Sequence, residues 1–396
     1  MRIKPRLMKE KGKYSPMQGE DKRSNLTVLD NAQRIVIKVG SALLYDSDTH
    51  HANHSWMQGL AEDIAALRAR GKQVVLVSSG SIALGRTILD LPAGKIALEE
   101  KQAAAAAGQV ALVQAWSDVL AAHDLQSAQI LLAPDDTETR RRHLNARATI
   151  TTLLGLGVIP VVNENDTVTT YEIRYGDNDR LAARVAGMIS ADLLILLSDV
   201  YGLYTASPRR DPHARHIADI PQITPDILAM GGGTDTAFAS GGMATKLAAA
   251  QLATQAGVGM IICDGRTHQP LAALSNGARF SLFHPSMNPM AARQNWIAGT
   301  LDPKGVVMID AGAEKALKAG KSLLPAGVVS VSGQFERGDV ISVISADGTE
   351  IARGLTHYSD QDAHRLKGQK STHFQDLVGY DGRAELIHAD DLVRLD

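Results

Sequence analysis

Short apolar segments alternate with helical segments along most of the chain. Six apolar runs predict buried strands at residues 34–39, 73–77, 129–132, 158–162, 193–197 and 259–263. Apolar residues spaced three or four positions apart predict helices at 56–70, 98–122, 144–154, 180–189 and 244–256. Strands that are apolar throughout and alternate with helices are typical of an α/β fold, in which a mostly parallel sheet is covered by helices on both faces.

The pattern changes near Gly305, where short strands and tight turns replace the long helices. Residues 340–344 and 350–353 flank Asp347 and Gly348, a pair that favours a two-residue hairpin turn. We therefore predict an α/β domain at 34–300 and a small, mainly β, barrel-like domain at 305–396.

Charge and cysteine content narrow the class of protein. The 396 residues carry a net charge of -2, which gives no general attraction to nucleic acid or to anionic membranes. The single cysteine, Cys263, excludes an internal disulfide framework and fits a cytoplasmic protein, and its apolar neighbours favour a core residue over a nucleophile. No apolar run is long enough to span a bilayer.

The first 23 residues differ from the rest, because they carry eight Lys or Arg against three acids with little apolar periodicity. We predict a basic, disordered leader over residues 1–33. A basic arm that contacts a partner is the alternative.

Polar clusters follow the predicted strands, at the end of the sheet where open α/β folds bind their ligands. The densest are two acid and amide clusters at 163–166 and 177–179. Such residues are also common in turns. A calcium loop is excluded, because Leu181 and Ala182 stand where that loop needs a ligand and a glycine.

Two lysines predict an anion site. Lys38 ends a strand, and Gly40 in the following turn lets backbone N–H groups approach an anion closely. Lys246 lies in the first turn of a predicted helix, where the helix dipole favours a phosphate and disfavours a cation without a partner. We predict phosphate contact at both lysines, with a solvated surface lysine as the alternative for Lys246.

Three further segments have weaker signals. Ser198 and Asp199 follow another strand, where they suit contacts to a nucleotide or the cap of a turn. Ser79 precedes Gly80 but lacks the glycine two positions earlier that a nucleophile elbow requires, so a hydrolase triad is poorly supported. The charged run at 135–142 places acids before bases, which predicts the solvated start of a helix.

Five segments of the large domain occur in a specific order: VIKVGS at 36–41, VSSGSIALG at 77–85, VNEND at 162–166, GDND at 176–179 and GGMATK at 241–246. Three segments follow in the small domain: LLPAGV at 323–328, QFERGD at 334–339 and HY at 357–358. Together they resemble the glutamate 5-kinases, a branch of the amino acid kinase family with a C-terminal PUA domain. The resemblance covers about residues 34–395 and leaves only the leader unexplained.

The resemblance implies ATP-dependent phosphorylation of the side-chain carboxylate of L-glutamate, with Mg²⁺, as the first step of proline biosynthesis. It implies that Lys38 and Lys246 stabilise the transferring phosphoryl group while Asp179 orients both lysines. The implied glutamate-binding residues are Ser79, Asp166 and Asn178. The implied ATP-binding residues are Lys38, Gly40, Ser198, Asp199, Ser240, Gly241, Gly242, Met243, Ala244, Thr245 and Lys246.

Four loop positions depart from the family pattern, in which Thr is common at Ser198 and Ser240, Ser is common at Ala244, and Ser or Thr is common at Ala42. Backbone N–H groups can bind phosphates in such loops. We therefore expect these departures to change affinity more than activity.

Two other functions compete with this interpretation. One is a different amino acid kinase, acting on acetylglutamate, aspartate or carbamate, and the PUA-like segments argue against it. A carboxylate at Asp166 also suits the free ammonium of glutamate better than an acetylated nitrogen. The other is RNA binding by residues 305–396, but ten Lys or Arg against fourteen acids give the wrong charge for a phosphate backbone, so a regulatory or oligomerisation module is favoured.

The family resemblance also implies partners. We expect feedback inhibition by L-proline, assembly into a dimer or tetramer, and transfer of the product to glutamate 5-semialdehyde dehydrogenase.

Overall fold

The structure is a computed structural model that describes residues 28–395 apart from 47–48, 93, 169–177, 209, 233–241, 286, 288–290, 293–296, 298–302, 371–372, 381 and the side chain of Arg140. Most of the predicted leader therefore lies outside the described residues, as does part of the predicted domain boundary. Leu29 and Ala32, near the end of that leader, are buried in the core of the first sheet. The predicted domain limits stay predictions.

The strands of the first 300 residues are β1 Arg34–Val39, β2 Tyr45–Asp46, β3 His51–Ala52, β4 Gln73–Ser78, β5 Ser127–Leu132, β6 Ile159–Glu164, β7 Leu193–Ser198, β8 Leu203–Tyr204, β9 His216–Ile217, β10 Asp219–Ile220, β11 Gly259–Asp264 and β12 Phe280–Phe283. Eight of them form one sheet in the order β10-β12-β11-β7-β1-β4-β6-β5. From β11 to β5 all neighbours are parallel, and β12 is antiparallel to β11. The predicted mostly parallel sheet is confirmed.

Residues 28–31 are helical, and the further helices of the same region in the described residues are α1 Ser41–Leu44, α2 His54–Ala69, α3 Ser81–Ile88, α4 Leu98–Ala121, α5 Pro134–Glu138, α6 Arg140–Gly155, α7 Asn178–Met188, α8 Pro225–Ala229, α9 Met243–Gln255 and α10 Pro270–Ser275. The predicted helices differ from α2, α4, α6, α7 and α9 by a few residues at their ends. Helix α3 was not predicted. The charged run at 135–142 spans two helices instead of one, because the chain is extended at Thr139 (φ -73°, ψ 117°).

The two faces of the sheet form two separate hydrophobic cores. Along β1, Ile35 and Ile37 pack in a core shared with α2 and α4, whereas Val36 packs in a core shared with α6, α7 and α9. Successive side chains of a strand point to opposite faces, so each polar residue near a strand end faces a known set of helices. This alternation determines which side chains can meet at the sheet edge.

The C-terminal residues form a second sheet with strands β13 Gly305–Ile309, β14 Val328–Gly333, β15 Val340–Ile344, β16 Glu350–Leu355 and β17 Leu392–Arg394, in the order β14-β13-β15-β16-β17. Strands β15 and β16 are antiparallel, and Gly348 in their turn has a φ of 87°. The predicted hairpin is therefore confirmed. Among the described residues, three α-helices accompany this sheet: α11 Ala311–Lys318, α12 Asp360–Leu366 and α13 Phe374–Val378.

None of the helices in the described ranges is both long and apolar enough to cross a bilayer.

Candidate active site

Two lysines and one aspartate form a buried ionic cluster at the carboxyl end of the sheet. Lys38 Nζ lies 2.6 Å from Asp179 Oδ1, and Lys246 Nζ lies 3.1 Å from Asp179 Oδ2. The Asp179 residue is 2% exposed, and both lysines are also buried. Thr245 Oγ1 is 3.2 Å from Asp179 Oδ2 and adds a fourth polar group. The predicted association of Asp179 with both lysines is present in the structure.

The cluster follows from strand alternation. Lys38 shares the face of β1 with Val36, which packs against α7 and α9. Asp179 lies in the first turn of α7, and Lys246 lies in the first turn of α9. The side chain of Lys38 is therefore directed toward the two helix starts that carry its partners.

The ion pairs fix the charge state of Asp179. Burial alone would raise the pKa of this carboxyl, but the charges of Lys38 and Lys246 together hold the pKa below its usual value. One carboxylate shared by two ammonium groups leaves the cluster with an excess positive charge. An anion is the natural partner for that excess.

A second polar cluster lies on the neighbouring strands. Asn178 Nδ2 donates to Ser79 Oγ at 2.7 Å and to Asn163 Oδ1 at 3.1 Å. Asn163 Nδ2 in turn donates to Gln109 Oε1 at 2.8 Å and to Ser81 Oγ at 3.3 Å. Asn178 Oδ1 and Gln109 Nε2 are buried and have no hydrogen-bond partner among the described residues. The cluster therefore offers one acceptor and one donor that remain unused.

Close packing of α3 on α4 builds the wall of this second cluster. A Cβ atom added at Gly85 would lie 1.7 Å from the carbonyl oxygen of Ala104, and one added at Gly108 would lie 1.8 Å from that of Ser81. Only glycine allows this approach. It brings Gln109, the residue after Gly108, within reach of Asn163.

The turn before α3 also requires glycine. Gly80, the N-cap of α3, has a φ of 104°, a left-handed conformation that other residues rarely adopt. This turn presents Ser79 to Asn178 and starts α3 at Ser81.

Asp166 is a buried carboxyl without a cationic partner in the described structure. It is 8% exposed, and burial raises its pKa to about 6 although a hydrogen bond with Ser81 opposes the shift. A buried carboxylate is costly unless it is paired with a positive charge. The position therefore suits a ligand that brings a cation.

The start of α9 suits a phosphate. Gly242 is its N-cap, with no side-chain cap among the described residues, so backbone N–H groups of Met243, Ala244 and Thr245 point away from the helix. Ser198 and Asp199 lie at the end of β7, and Ser198 Oγ is 3.3 Å from Asp199 Oδ1. These groups belong to the same edge of the sheet as Lys38.

Comparison with known proteins bears on this arrangement. A model of the amino acid kinase family matches residues 33–264, and a model of the PUA domain matches residues 305–377. Glutamate 5-kinase 1 of Rhizobium meliloti is 58% identical over 365 residues, which cover 92% of this chain and 93% of that protein. The glutamate 5-kinases of Agrobacterium fabrum and Allorhizobium ampelinum are 57% and 56% identical, over 92% and 93% of this chain and 94% of each relative.

The chain belongs to the glutamate 5-kinase branch of the amino acid kinase family. The resemblance drawn from its ordered motifs is thus confirmed, as are the α/β fold and the mainly β C-terminal domain with its PUA match.

In this amino acid kinase, most of the sequence-predicted site residues lie at one edge of the sheet. Lys38, Asp179, Lys246 and Thr245 meet in the ionic cluster, while Ser79 and Asn178 meet in the neighbouring polar cluster. Gly40 follows Lys38, and a Cβ atom added to it would lie 3.9 Å from Lys38 Nζ.

Several predicted features lie outside the described residues. Ser240 and Gly241 of the predicted ATP-binding segment are among them, as are Asp177 and most of the loop before it. Their predicted roles stay predictions.

The sequence interpretation assigned no role to three residues of the polar cluster: Asn163, Gln109 and Ser81. Asn163 shares a face of β6 with Ile159 and Val161, which pack in the core that contains α4. Strand alternation therefore contained the signal that Asn163 points toward α4. The sequence had no comparable signal for Gln109, because its position depends on the contact between α3 and α4.

Cys263 is buried in the first core, and burial raises the pKa of its thiol. This agrees with the prediction of a core residue.

Proposed function

We propose that this amino acid kinase transfers the terminal phosphoryl group of ATP to the side-chain carboxylate of L-glutamate, forming L-glutamyl 5-phosphate for proline synthesis. The buried Lys38–Asp179–Lys246 cluster is the observation that carries this proposal. It offers fixed positive charge beside a polar cluster that suits an amino acid. The names of the relatives at 56–58% identity support the same reaction.

The chemistry needs cations more than it needs a base. A carboxylate oxygen of glutamate attacks the terminal phosphorus of ATP while the bond from that phosphorus to the bridging oxygen breaks, and ADP leaves. The attacking carboxylate has no proton to lose. Charge accumulates on the phosphoryl oxygens, where Lys38 and Lys246 stabilise it. Asp179 orients both ammonium groups and is not itself a reactant.

Glutamate binding is assigned to the second cluster. The carboxylate of Asp166 pairs with the ammonium group of the substrate, which supplies the cation that this buried carboxyl lacks. Asn178 and Ser79 add hydrogen bonds to the polar groups of the amino acid. An acetylated nitrogen carries no charge and cannot replace the ammonium, so Asp166 favours glutamate over N-acetylglutamate.

ATP and Mg²⁺ are assigned to the other side of the site. The ATP phosphates lie at the N-terminus of α9 near Gly242 and Lys246, with Ser198, Asp199 and Gly40 at adjacent strand ends. No group of three or more His, Cys, Asp or Glu side chains is placed to hold a metal in the described part of the chain. Mg²⁺ would accompany ATP, whose phosphates are among its usual ligands, and would supply further charge neutralisation beside Lys38 and Lys246.

Further proposals concern partners. The acyl phosphate product is reactive, which favours direct transfer to a glutamate 5-semialdehyde dehydrogenase. We also propose inhibition by L-proline, a dimeric or tetrameric assembly, and a cytoplasmic location.

The test is an ADP-release assay with Mg-ATP that compares L-glutamate, N-acetylglutamate and L-aspartate, with hydroxylamine present to trap the acyl phosphate as a hydroxamate. Of the three amino acids, we expect only L-glutamate to give ADP and hydroxamate, and in equal amounts. ADP release without hydroxamate would indicate ATP hydrolysis, and faster turnover of N-acetylglutamate or aspartate would show that the substrate is wrong.

A further inference from the structure

A cavity of about 180 Å³ lies between helix α6 of the kinase region and the C-terminal sheet. Its wall includes Arg147 from α6 and residues from several C-terminal loops. Pockets for drug-sized ligands usually measure about 300–1,000 Å³, so this cavity suits a smaller molecule. It is separate from the lysine and Asp166 clusters, none of whose residues line it.

The charged groups around the cavity are partly paired. Arg147 Nη1 lies 3.0 Å from Asp391 Oδ1, and this ion pair joins the two regions of the chain. The other aspartate, Asp390, contacts His388. Arg337 and Arg383 also line the cavity, and neither side chain forms an ion pair in the described structure. Both residues are exposed, so their guanidinium groups are accessible to a ligand.

A buried histidine supplies an independent observation. The His357 side chain is 9% exposed and lines the cavity, with Nε2 at 3.6 Å from Asp391 Oδ2. Its Nδ1 is buried and has no hydrogen-bond partner among the described residues. A buried polar atom without a partner costs free energy. Either the Nδ1–H tautomer or the imidazolium form would donate from this atom to an anion.

We propose that this cavity binds a small oxyanion, a phosphate or a carboxylate, with Arg337 and Arg383 as its charged partners and His357 at its base. Guanidinium groups match both kinds of oxyanion, because their paired N–H donors suit two oxygens of one group. Arg147 is paired with Asp391, whereas Arg337 and Arg383 form no ion pair and His357 Nδ1 has no hydrogen-bond partner in the described structure. Such a ligand would lie beside α6, at a distance from the kinase site.

The test follows the imidazole signals of the full-length chain, with histidines isotopically labelled, by nuclear magnetic resonance. The His357 signal is identified by its loss in His357→Gln. Inorganic phosphate and succinate are titrated separately at constant ionic strength. We expect a saturable shift of the His357 signal with at least one of these anions, and the anion with the lower Kd identifies the ligand class.

Two double variants decide the result. Arg337→Ala with Arg383→Ala should raise the Kd at least about tenfold, because two charge-assisted contacts are lost. Arg365→Ala with Arg394→Ala removes two exposed arginines of the same region that do not line the cavity, and should leave the Kd within about twofold. Thermal unfolding of each variant confirms its fold, and Arg337→Lys with Arg383→Lys gives a second, less disruptive pair.

A shift that does not saturate with either anion would overturn the proposal. So would equal weakening by the two double alanine variants, which would indicate a general response to charge.

Discussion

Each half of the candidate active site contains one buried carboxyl group, and the pKa values of the two groups are shifted in opposite directions. Asp179 is held between Lys38 and Lys246, and these charges lower its pKa although burial opposes the shift. Asp166 has no cation beside it in the described structure, and burial raises its pKa to about 6. The two residues are 13 positions apart in sequence and differ mainly in what their neighbours supply.

This difference indicates how the site divides its work. We call the half around Asp179 complete, because its carboxylate already has two cationic partners that orient both lysines, and only the excess positive charge awaits an anion. The half around Asp166 lacks a cation, and Asn178 Oδ1 lacks a donor among the described residues. We infer that the first half is preorganised for charge stabilisation, whereas the second half is completed by the amino acid.

The largest expected effect comes from removing a lysine of the complete half. Lys38→Met should lower kcat by about 10²–10³-fold, the usual loss when one preorganised donor to a transition state is removed. Lys72→Met is the matched control, because Lys72 is 2% exposed and donates to the carbonyl oxygens of Asp30 and Ala32. It should lower stability with little change in kcat. Steady-state kinetics and thermal unfolding of both variants give the answer. If Lys38→Met and Lys72→Met lowered kcat equally, Lys38 would not be a specific contact of the transferring phosphoryl group.

The next effect concerns the incomplete half. Asp166→Asn should lower kcat/KM for glutamate by about 10–100-fold, since a charged hydrogen bond contributes about 1.5–3 kcal/mol, while the KM for ATP should change little. The control is Asp63→Asn. Asp63 is also buried with its pKa raised to about 6, but it accepts hydrogen bonds from the backbone of Leu271 and Ala272. If Asp166→Asn weakened the use of glutamate and of ATP to a similar degree, Asp166 would not be the specific partner of the glutamate ammonium.

The dependence of kcat/KM on pH should also distinguish Asp166 from Asp179, with a smaller effect than the substitutions. Below about pH 6 Asp166 gains a proton and loses the charge that pairs with the ammonium of glutamate. The value of kcat/KM for glutamate should therefore fall up to about tenfold per pH unit below that point. Asp179, with its lowered pKa, keeps its charge in this range. Asp166→Asn should abolish the fall between pH 5 and 7, roughly the window around the raised pKa. A fall that persists in Asp166→Asn would assign the pKa to another group.

The sequence predicted one half of the site better than the other. Lys38 and Lys246 were accessible because they lie at the end of a strand and at the start of a helix, and parallel strands bring such ends to one edge of the sheet. The place of Asp179 beside them followed from the family resemblance. Asn163 and Gln109 received no role. Their contact depends on how closely α3 approaches α4 at Gly85 and Gly108, a distance that neither periodicity nor turn chemistry reports.

Prediction of the fold from the sequence was likewise limited to features with a local pattern. Core strands were predicted within about two residues at their ends, since continuous apolar runs define them. Helix α3 was missed because it is short, and the run at 135–142 was read as one helix start because charge order does not reveal a break. The cavity beside α6 was missed for a related reason, as its walls come from segments about 200 residues apart.

The smallest expected effect concerns a hydrogen bond behind the incomplete half. It tests whether loss of that bond changes the KM for glutamate alone or the KM for both substrates. Trp116 Nε1 donates to Ser78 Oγ at 2.8 Å, and the carbonyl oxygen of Ser78 accepts from Asn178 at 3.4 Å. Trp116→Phe removes the donor and should lower the free energy of unfolding by about 1–2 kcal/mol. Because Asn178 is connected to Ser78, the KM for glutamate should also rise slightly, with the KM for ATP unchanged.

Trp56→Phe is the matched control for this last change. Trp56 is a buried tryptophan of the same core that donates to the carbonyl oxygen of Gly265 at 2.6 Å, so its loss should cost a similar free energy of unfolding without altering the KM for glutamate. Denaturant unfolding and steady-state kinetics with each substrate measure both effects. If Trp116→Phe raised both KM values equally, the two halves would share one supporting network, and the division between a complete and an incomplete half would be wrong.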